Sequence, residues 1–499
     1  MRRSGVPAER VDAVNDAEPR RTGRFVLYWM TAARRLVHNF ALQRAADWAK
    51  ELGTSLVVVE GLRCGNRWDC DRFHRFILDG MADNAAYAEG RPVLYYPYVE
   101  PSPGAAEGLI PALADGACVV VTDAFPCFTQ PALVRATAGR VRCRLEQVDS
   151  NGLLPLGATE RVFPTAHSFR RFLQKTLRPH LKAFPKAYPL ARVDLPALKE
   201  LPRAITTRWP RASADLLAGK GTGLAGLPID HRVRPTGLRG GRSAARRTLR
   251  AFLDHRLARY AADRNQPEEE VTSGLSPYLH HGHIAVHEVF MALMKREGWS
   301  ADRLNPKATG SRSGWWGVGE NAEAFLDELV TWREVGYNMA FLRSDEYDRY
   351  DSLPHWARAT LADHADDPRE YVYTPEQFEA AATHDPLWNA AQAQLVREGR
   401  VHNYLRMLWG KKIVEWSPTP ETALRVMIHL NNTYALDGRN PNSYSGILWC
   451  LGRYDRPWGP ERPVLGTVRY MSSDNTARKV RVKRYIARYA PGCPEATIP

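Results

Sequence analysis

The chain of 499 residues has no apolar run near the roughly 20 residues needed to cross a bilayer, which excludes a membrane-spanning helix. It is poor in cysteine: seven, an odd number and scattered, which excludes a small secreted fold stapled by disulfides. No apolar core follows Met1-Arg2-Arg3, so no secretory signal is read and a cytoplasmic protein is expected. No glycine fingerprint for a dinucleotide follows the first strand-like run, and Lys220, although set in a Gly-rich stretch, lacks P-loop spacing and reads as linker. No metal site is expected. Acidic residues are in deficit, with 55 Asp+Glu against 69 Lys+Arg and a formal net charge of +14, a hint of a polyanionic partner shared by many basic enzymes. What remains, 44% hydrophobic and 25% charged, is the balance of a folded protein long enough for about two to four domains.

Residues 1–23 are polar and read as a disordered leader. Short apolar runs at 25–30, 56–60, 92–98, 118–122 and 143–149 alternate with helical patterns such as 36–52 and 71–89. That alternation predicts a Rossmann-like α/β domain over 24–155, a parallel sheet with helices on both faces, whose ligand-binding end is the carboxyl end of the strands. Residues 156–245, with several Pro, a Gly-rich stretch and a basic run from Arg232 to Arg250, read as a long linker. From 246 to 499 the strand signal fades into amphipathic helical patterns, an all-α domain holding ten of the 14 Trp.

Four segments of that helical half are particular. Tyr260-Ala-Ala-Asp-Arg264 precedes Thr272-Ser-Gly-Leu-Ser-Pro-Tyr-Leu-His280, where hydroxyls and glycine before a helix suit a phosphate, although Ser276-Pro277 is equally ordinary helix-start grammar. In Phe325-Leu-Asp-Glu-Leu-Val-Thr-Trp-Arg-Glu-Val-Gly-Tyr-Asn338, Glu328 and Trp332 share a helix face, so a carboxylate and an indole could hydrogen-bond and stack on one flat heterocycle, or be a surface Glu beside a core Trp. His384-Asp-Pro-Leu-Trp-Asn389 leads into a stretch where Trp409 and Trp416 lie two turns apart, either an electron relay or a core stripe. The fourth, Leu430 to Gly446, is crowded with side-chain amides between apolar helices, which suggests a polar ligand. A basic segment from Arg469 to Arg488 carries Arg478, Lys479, Arg481, Lys483 and Arg484, read either as phosphate contacts or as a solvated surface.

In order along the chain, SGLSPYLHHGHI, FLDELVTWREVGYN, THDPLWNAAQ, HNYLRMLWGKKIVEW, LDGRNPNSYSGILW and DRPWGPERPVLGTVRYMS resemble the class II cyclobutane pyrimidine dimer photolyases of the cryptochrome/photolyase family, over roughly residues 24–490. The resemblance implies FAD in the helical domain. It implies that Tyr260, Arg264, Ser273, Gly274, Leu275 and Ser276 hold the diphosphate, and that Asn338 and Asn431 lie against the flavin. It implies an ion pair of Arg406 with Asp455 beside the flavin, with Asp437 lining the same pocket. It implies an electron-transfer chain from Trp409 through Trp388 to Trp416 outside. Glu328 would hydrogen-bond the damaged bases, Trp332 and Trp449 would stack on them, and Met407 would lie beneath.

The implied activity is light-driven splitting of pyrimidine dimers in DNA by a monomer working with reduced FAD, the alternative being a cryptochrome-like photosensor. An antenna chromophore, a deazaflavin or a folate, would sit at the strand ends of the α/β domain. The chain departs from the family pattern at His281, Asn403, Asn432, Gly410 and Tyr337, all near the implied flavin or its helices. Residues 301–320, with Trp315-Trp316, have no role in this reading.

Overall fold

The computed structural model describes residues 5–220 and 223–491. Six strands form one sheet: β1 (Val11–Ala13), β2 (Phe25–Met30), β3 (Ser55–Leu62), β4 (Leu94–Val99), β5 (Ala117–Asp123) and β6 (Arg144–Val148), in the spatial order β1-β6-β5-β2-β3-β4. β2 through β6 are parallel, with Phe25 opposite Ser55 and Met30 opposite Glu60. Alternate residues of β2 feed two cores. Val26, Tyr28 and Met30 pack with Phe40 and Leu42 on one face, while Leu27 and Trp29 pack with Leu109 and Trp209 on the other.

The parallel sheet is as expected, but the expectation of a disordered leader over residues 1–23 is corrected at the sheet's edge. β1 pairs antiparallel with β6. Just before it, Arg10 is buried, bonded to Asp149 at 3.2 Å and to the carbonyls of Gly152 and Leu153 at 3.1 and 2.7 Å. A three-residue edge strand needs backbone pairing more than apolar side chains, so composition concealed it. Residues 1–4 of the expected leader lie outside the described residues.

The expected linker also holds structure. Helix Ala166–His180, opened by a capping box of Thr165 and Ser168, buries Phe169, Leu173 and Leu177. Short helices Arg203–Arg208 and Ala214–Ala218 follow, and much of the basic run coils into helix Gly241–Ala251. Trp209 covers the sheet, donating its indole N–H to the Ala105 carbonyl at 2.9 Å. Lys220 lies outside any helix, and residues 221–222 of the Gly-rich stretch lie outside the described residues.

The rest of the described chain is helical, and no described helix is long and apolar enough to cross a membrane. The sheet and the helical part meet closely at Gly282, which has φ +71° and where a Cβ would lie 1.9 Å from the Ala32 carbonyl oxygen, so only glycine fits. Residues 301–320 have a packing role. Glu323 accepts from the backbone N–H groups of Gly314, Trp315 and Trp316, and both indoles are buried, Trp316 against Trp299 and Phe290 and Trp315 against Trp316. Residues 492–499 lie outside the described residues.

Candidate active site

The site is a cleft of about 1340 Å³ in the helical part. One wall is built by a long helical run, Glu320–Leu342, whose middle turn, Asp327–Trp332, is a π-helix in which the Arg333 N–H reaches back to the Glu328 carbonyl. A π turn inserts one residue into an α-helix and re-aims side chains, and such turns concentrate at functional sites. Here both Glu328 and Trp332 face the cleft, as their spacing predicted. The turn is pinned from outside: Arg170, on the helix inside the expected linker, grips buried Asp327 with two bonds of 2.7 and 3.0 Å. Such a fork fixes orientation as well as charge.

Seven of the expected residues line the cleft: Arg264, Glu328, Trp332, Arg406, Met407, Trp449 and Asp455. Arg264 meets Glu328 at 2.6 Å. Burial in the cleft wall pushes the Glu328 carboxyl above its ordinary pKa, and Arg264 opposes that rise.

The expected pairing of Arg406 with Asp455 is corrected. Arg406 binds Asp437 at 3.1 Å, and Asp455 binds Arg469 at 2.9 Å. Burial works against both carboxylates, but their arginine partners hold both pKa values below the ordinary value, with Ser276 bonding Asp437 and the Trp458 indole donating to Asp455. The reason is tertiary. Asp437 follows helix Pro420–Tyr434 and reaches Arg406 from a neighbouring element, while the loop after Trp449 folds Arg469 back over Asp455.

The other expected residues stand behind the cleft surface. Tyr260 is buried against Phe252 and Phe325 and bonds Arg264. Ser273 accepts from the Leu275 N–H in a turn where Gly274 has φ +68°, and Ser276 joins this turn to Asp437 and so to Arg406. Asn431 is buried, donating to Asn432 Oδ1 and Ser443 Oγ. Asn338 donates to the Arg161 carbonyl and opens on a separate small cavity with Leu154, Glu334 and Tyr337.

Trp409, Trp388 and Trp416 form a continuous buried row. The Trp388 indole donates to the Trp409 carbonyl at 3.0 Å, Trp409 donates to Gln392 at 2.9 Å, and the rings of Trp388 and Trp416 are 6.0 Å apart. Trp416 is not outside as expected: it is 3% exposed, covered by Tyr373 and His384.

The departures from the family pattern fall into built surroundings. His281 bonds the Leu436 carbonyl, and Asn432 donates to the Tyr444 hydroxyl. The Tyr337 hydroxyl accepts from Arg333 and Asn440. A Cβ on Gly410 would lie 2.4 Å from Cys450 Sγ. Asn403 lines the cleft.

Sequence reasoning missed Arg170, Asp327 and Trp458 as parts of the site. Arg469 stacks 3.9 Å over Trp458 and 5.5 Å over Trp449. The signal for Trp458 lay in the Asp-Arg-Pro-Trp-Gly segment; none pointed to Arg170. In the basic segment, Arg481, Arg484 and Arg488 are paired with Glu269, Glu268 and Glu270, so they are not free for phosphate, whereas Lys479 lines the cleft.

The comparisons with known proteins follow this geometry. The chain is 34% identical over 484 residues to the deoxyribodipyrimidine photo-lyase of Methanothermobacter thermautotrophicus, covering 97% of this chain and 98% of that protein. It is 34% identical to the deoxyribodipyrimidine photo-lyase of Oryza sativa subsp. japonica, covering 93% and 87%. Its fold is similar to a bacterial class III photolyase from Agrobacterium tumefaciens, with TM-score 0.65, 18% identity and 94% and 86% coverage. It is also similar to a Synechocystis cryptochrome, with TM-score 0.67, 15% identity and 94% and 89% coverage. No protein-family model matches the chain. The chain belongs to the deoxyribodipyrimidine photo-lyase family, a family of enzymes whose cofactor is the flavin FAD.

Proposed function

We propose that the protein is a class II-type photolyase that splits cyclobutane pyrimidine dimers in DNA under light. The observation that carries this reading is the convergence of Glu328, Trp332, Met407 and Trp449 on one cleft that also presents Arg264 and Arg406. Ligand pockets commonly measure about 300–1,000 Å³, so a cleft of about 1340 Å³ has room for both a dinucleotide cofactor and an everted pair of bases. Its donors fit FAD: guanidinium groups for the diphosphate, and Asn442 and Ser445 for the polar edge of a ring system. Reduced FAD, when bound and excited by light, supplies one electron to the lesion and takes it back once the ring has opened.

The chain's own residues do the rest. A dimer turned out of the duplex, cheapened by its weakened pairing, enters between Trp332 and Trp449, whose faces exclude water from it. Met407 fills the remaining apolar gap. Glu328, kept more proton-holding by burial, donates or shares a proton with a base carbonyl edge as charge develops there, and Arg264 orients it. Arg406 is held by Asp437, and Asp437 by Ser276, so the cation is fixed before the ligand arrives. The buried row Trp409, Trp388 and Trp416 supplies electrons from the protein side when the cofactor needs reducing.

At the carboxyl ends of β2 and β5, Asp123 accepts from the Tyr28 hydroxyl and from the N–H groups of Thr31, Ala32 and Ala33, and the adjoining cavity measures about 20 Å³. That crevice does not fit a deazaflavin or a folate. We propose that the protein works as a monomer in the cytoplasm, a reducing compartment that the six free described cysteines suit.

The test is illumination of the flavin-loaded protein with DNA carrying a defined pyrimidine dimer. Restoration of the two bases under blue light, none in darkness, is the expected result. Retention of flavin photochemistry without repair would favour a photosensor instead.

A further inference from the structure

The helix Ala166–His180 and the loop of residues 303–319 share a charge bias that the reading above does not use. Residues 161–182 and 303–319 together carry nine Arg and Lys and no Asp or Glu, although acids are 55 of the chain's 499 residues. The fold fastens the two segments to each other. Gln174 donates to the Ser311 carbonyl at 3.0 Å and accepts the Gly310 N–H at 2.8 Å, and Arg170 donates to the Gly310 carbonyl at 3.2 Å. Arg170 is buried and paired with Asp327, so it serves the joint itself.

Other members of the set face outward. His167, Arg171, Lys175 and Arg178 recur at helical spacing and are exposed, opposite buried Phe169, Leu173 and Leu177. Lys307 and Arg312 are exposed on the fastened loop. The stripe begins at the cleft, because His167 and Arg312 line its rim. Among the described residues Arg171, Lys175, Lys307 and Arg312 have no ion-pair partner. Arg178 meets only Asp302, at 3.5 Å, and that acid is 92% exposed. An exposed pair of this kind holds weakly and gives way to a better anion.

We infer that this stripe is a phosphate track for the intact duplex on one flank of the lesion, while the cleft holds the everted dimer. The inference rests on the proposed photolyase reading, which fixes where the duplex lies. Between His167 and Arg178 the helix rises about 16 Å. One strand of B-DNA carries a phosphate per roughly 3.4 Å of axis, so the stripe runs beside about five phosphates. Cations placed there release condensed counterions, a gain that needs no particular base sequence. Such contacts set the register of the duplex over Trp332 and Trp449 and leave the discrimination of damaged bases to the cleft. An acidic protein or an anionic lipid surface would also meet a basic stripe, but continuity with the cleft rim favours the partner that the cleft receives.

The test is titration of the flavin-loaded full chain with labelled duplexes, dimer-containing and undamaged, over a range of salt. Wild type is compared with the triple variant Arg171→Ala, Lys175→Ala, Lys307→Ala and with Asp302→Asn, all at exposed positions. The triple variant should lower the slope of log affinity against log salt by about 2–3 and weaken both duplexes by the same factor, on the order of tenfold. Trimming the duplex on one flank of the dimer should erase the difference from wild type, and trimming the other flank should not. Asp302→Asn frees Arg178 and should tighten both duplexes by about twofold, a gain that misfolding does not produce.

An unchanged salt slope in the triple variant overturns the inference. So does a variant that keeps its affinity for DNA and loses binding to phosphatidylserine vesicles, which would assign the stripe to a lipid surface. A wild-type chain that binds duplex without preferring the dimer sinks the photolyase reading instead, and the salt slope on undamaged duplex then still decides the stripe.

Discussion

Two sets of tryptophans share the helical part of the molecule and live under opposite conditions. Trp388, Trp409 and Trp416 are buried, and the indole N–H groups of the first two are satisfied by a carbonyl and an amide in the interior. Trp332, Trp449 and Trp458 stand half-buried around the cleft, and cations lie over two of them. Lys411 is 4.9 Å and Arg469 5.5 Å from the Trp449 ring, while Arg456 and Arg469 lie 4.4 and 3.9 Å from Trp458.

A cation over an indole face is held by the ring's quadrupole and makes loss of an electron from that ring harder. The buried row is therefore the easier source of electrons, since the Lys412 ammonium 5.3 Å from the Trp416 ring is paired with Glu415 at 2.6 Å. In the proposed reading Trp332 and Trp449 stack on the lesion, and the cations over Trp449 and Trp458 make those two rings harder to oxidise. One residue type carries two roles, and the neighbours assign them.

The sharpest way to break this comparison is truncation. Trp388→Ala, at a fully buried position, should cost about 3–5 kcal/mol of stability, whereas Trp449→Ala should cost within about 1 kcal/mol, read by chemical denaturation. Equal losses would show that the two sets are not different environments.

The next effect concerns the residue that links the sets. Lys411 lies on the helix Asn403–Trp416, is buried, and reaches the Cys450 carbonyl at 2.8 Å beneath Trp449. Burial lowers its pKa from the ordinary 10.5 to about 8. Between these values the folded state releases the proton while the unfolded chain still holds it, so stability should rise with pH. The contribution is on the order of 3 kcal/mol, present above about pH 8 and complete near pH 10.5. Lys411→Met should lose that rise, which paired denaturation curves at pH 7.5 and 10 would measure.

Binding should separate the sets in the reverse direction. Trp332→Ala or Trp449→Ala should weaken binding of dimer-containing DNA by about 1–3 kcal/mol, while Trp388→Phe should leave affinity unchanged and slow flavin photoreduction. Titration against damaged and undamaged duplexes gives the first number, and illumination without DNA gives the second. The smallest effect belongs to the rim. Lys479→Ala should reduce the slope of log affinity against log salt by about 1 and leave the preference for damaged DNA unchanged, whereas a change in that preference would make Lys479 part of the recognition wall.

How far the site was legible follows from the range of the interactions. Glu328 and Trp332 could be placed together because they are neighbours on one helical turn, and Trp409 and Trp416 because they are two turns apart on another. Arg406 was assigned the wrong acid because its partner comes from a separate helix end, and nothing local distinguishes Asp437 from Asp455. The segment 156–245 looked like linker because Pro and Gly dominate its composition, yet its helix Ala166–His180 supplies the Arg170 fork that holds the π turn. The basic C-terminal run looked free because the Glu268-Glu269-Glu270 run that pairs three of its arginines is more than two hundred residues away.

By itself the sequence determined the alternation of strand and helix, the amphipathic helical half, the family and the residue types that the cleft needs. These depend on periodicity and on short segments, which survive without a third dimension. Tertiary structure alone decided which acid meets which arginine, that the sheet has an antiparallel edge, that Trp416 is covered, and that Tyr373 and His384 cover it. Those are contacts between distant segments, and their free energy is set by packing and burial that no single stretch of chain encodes.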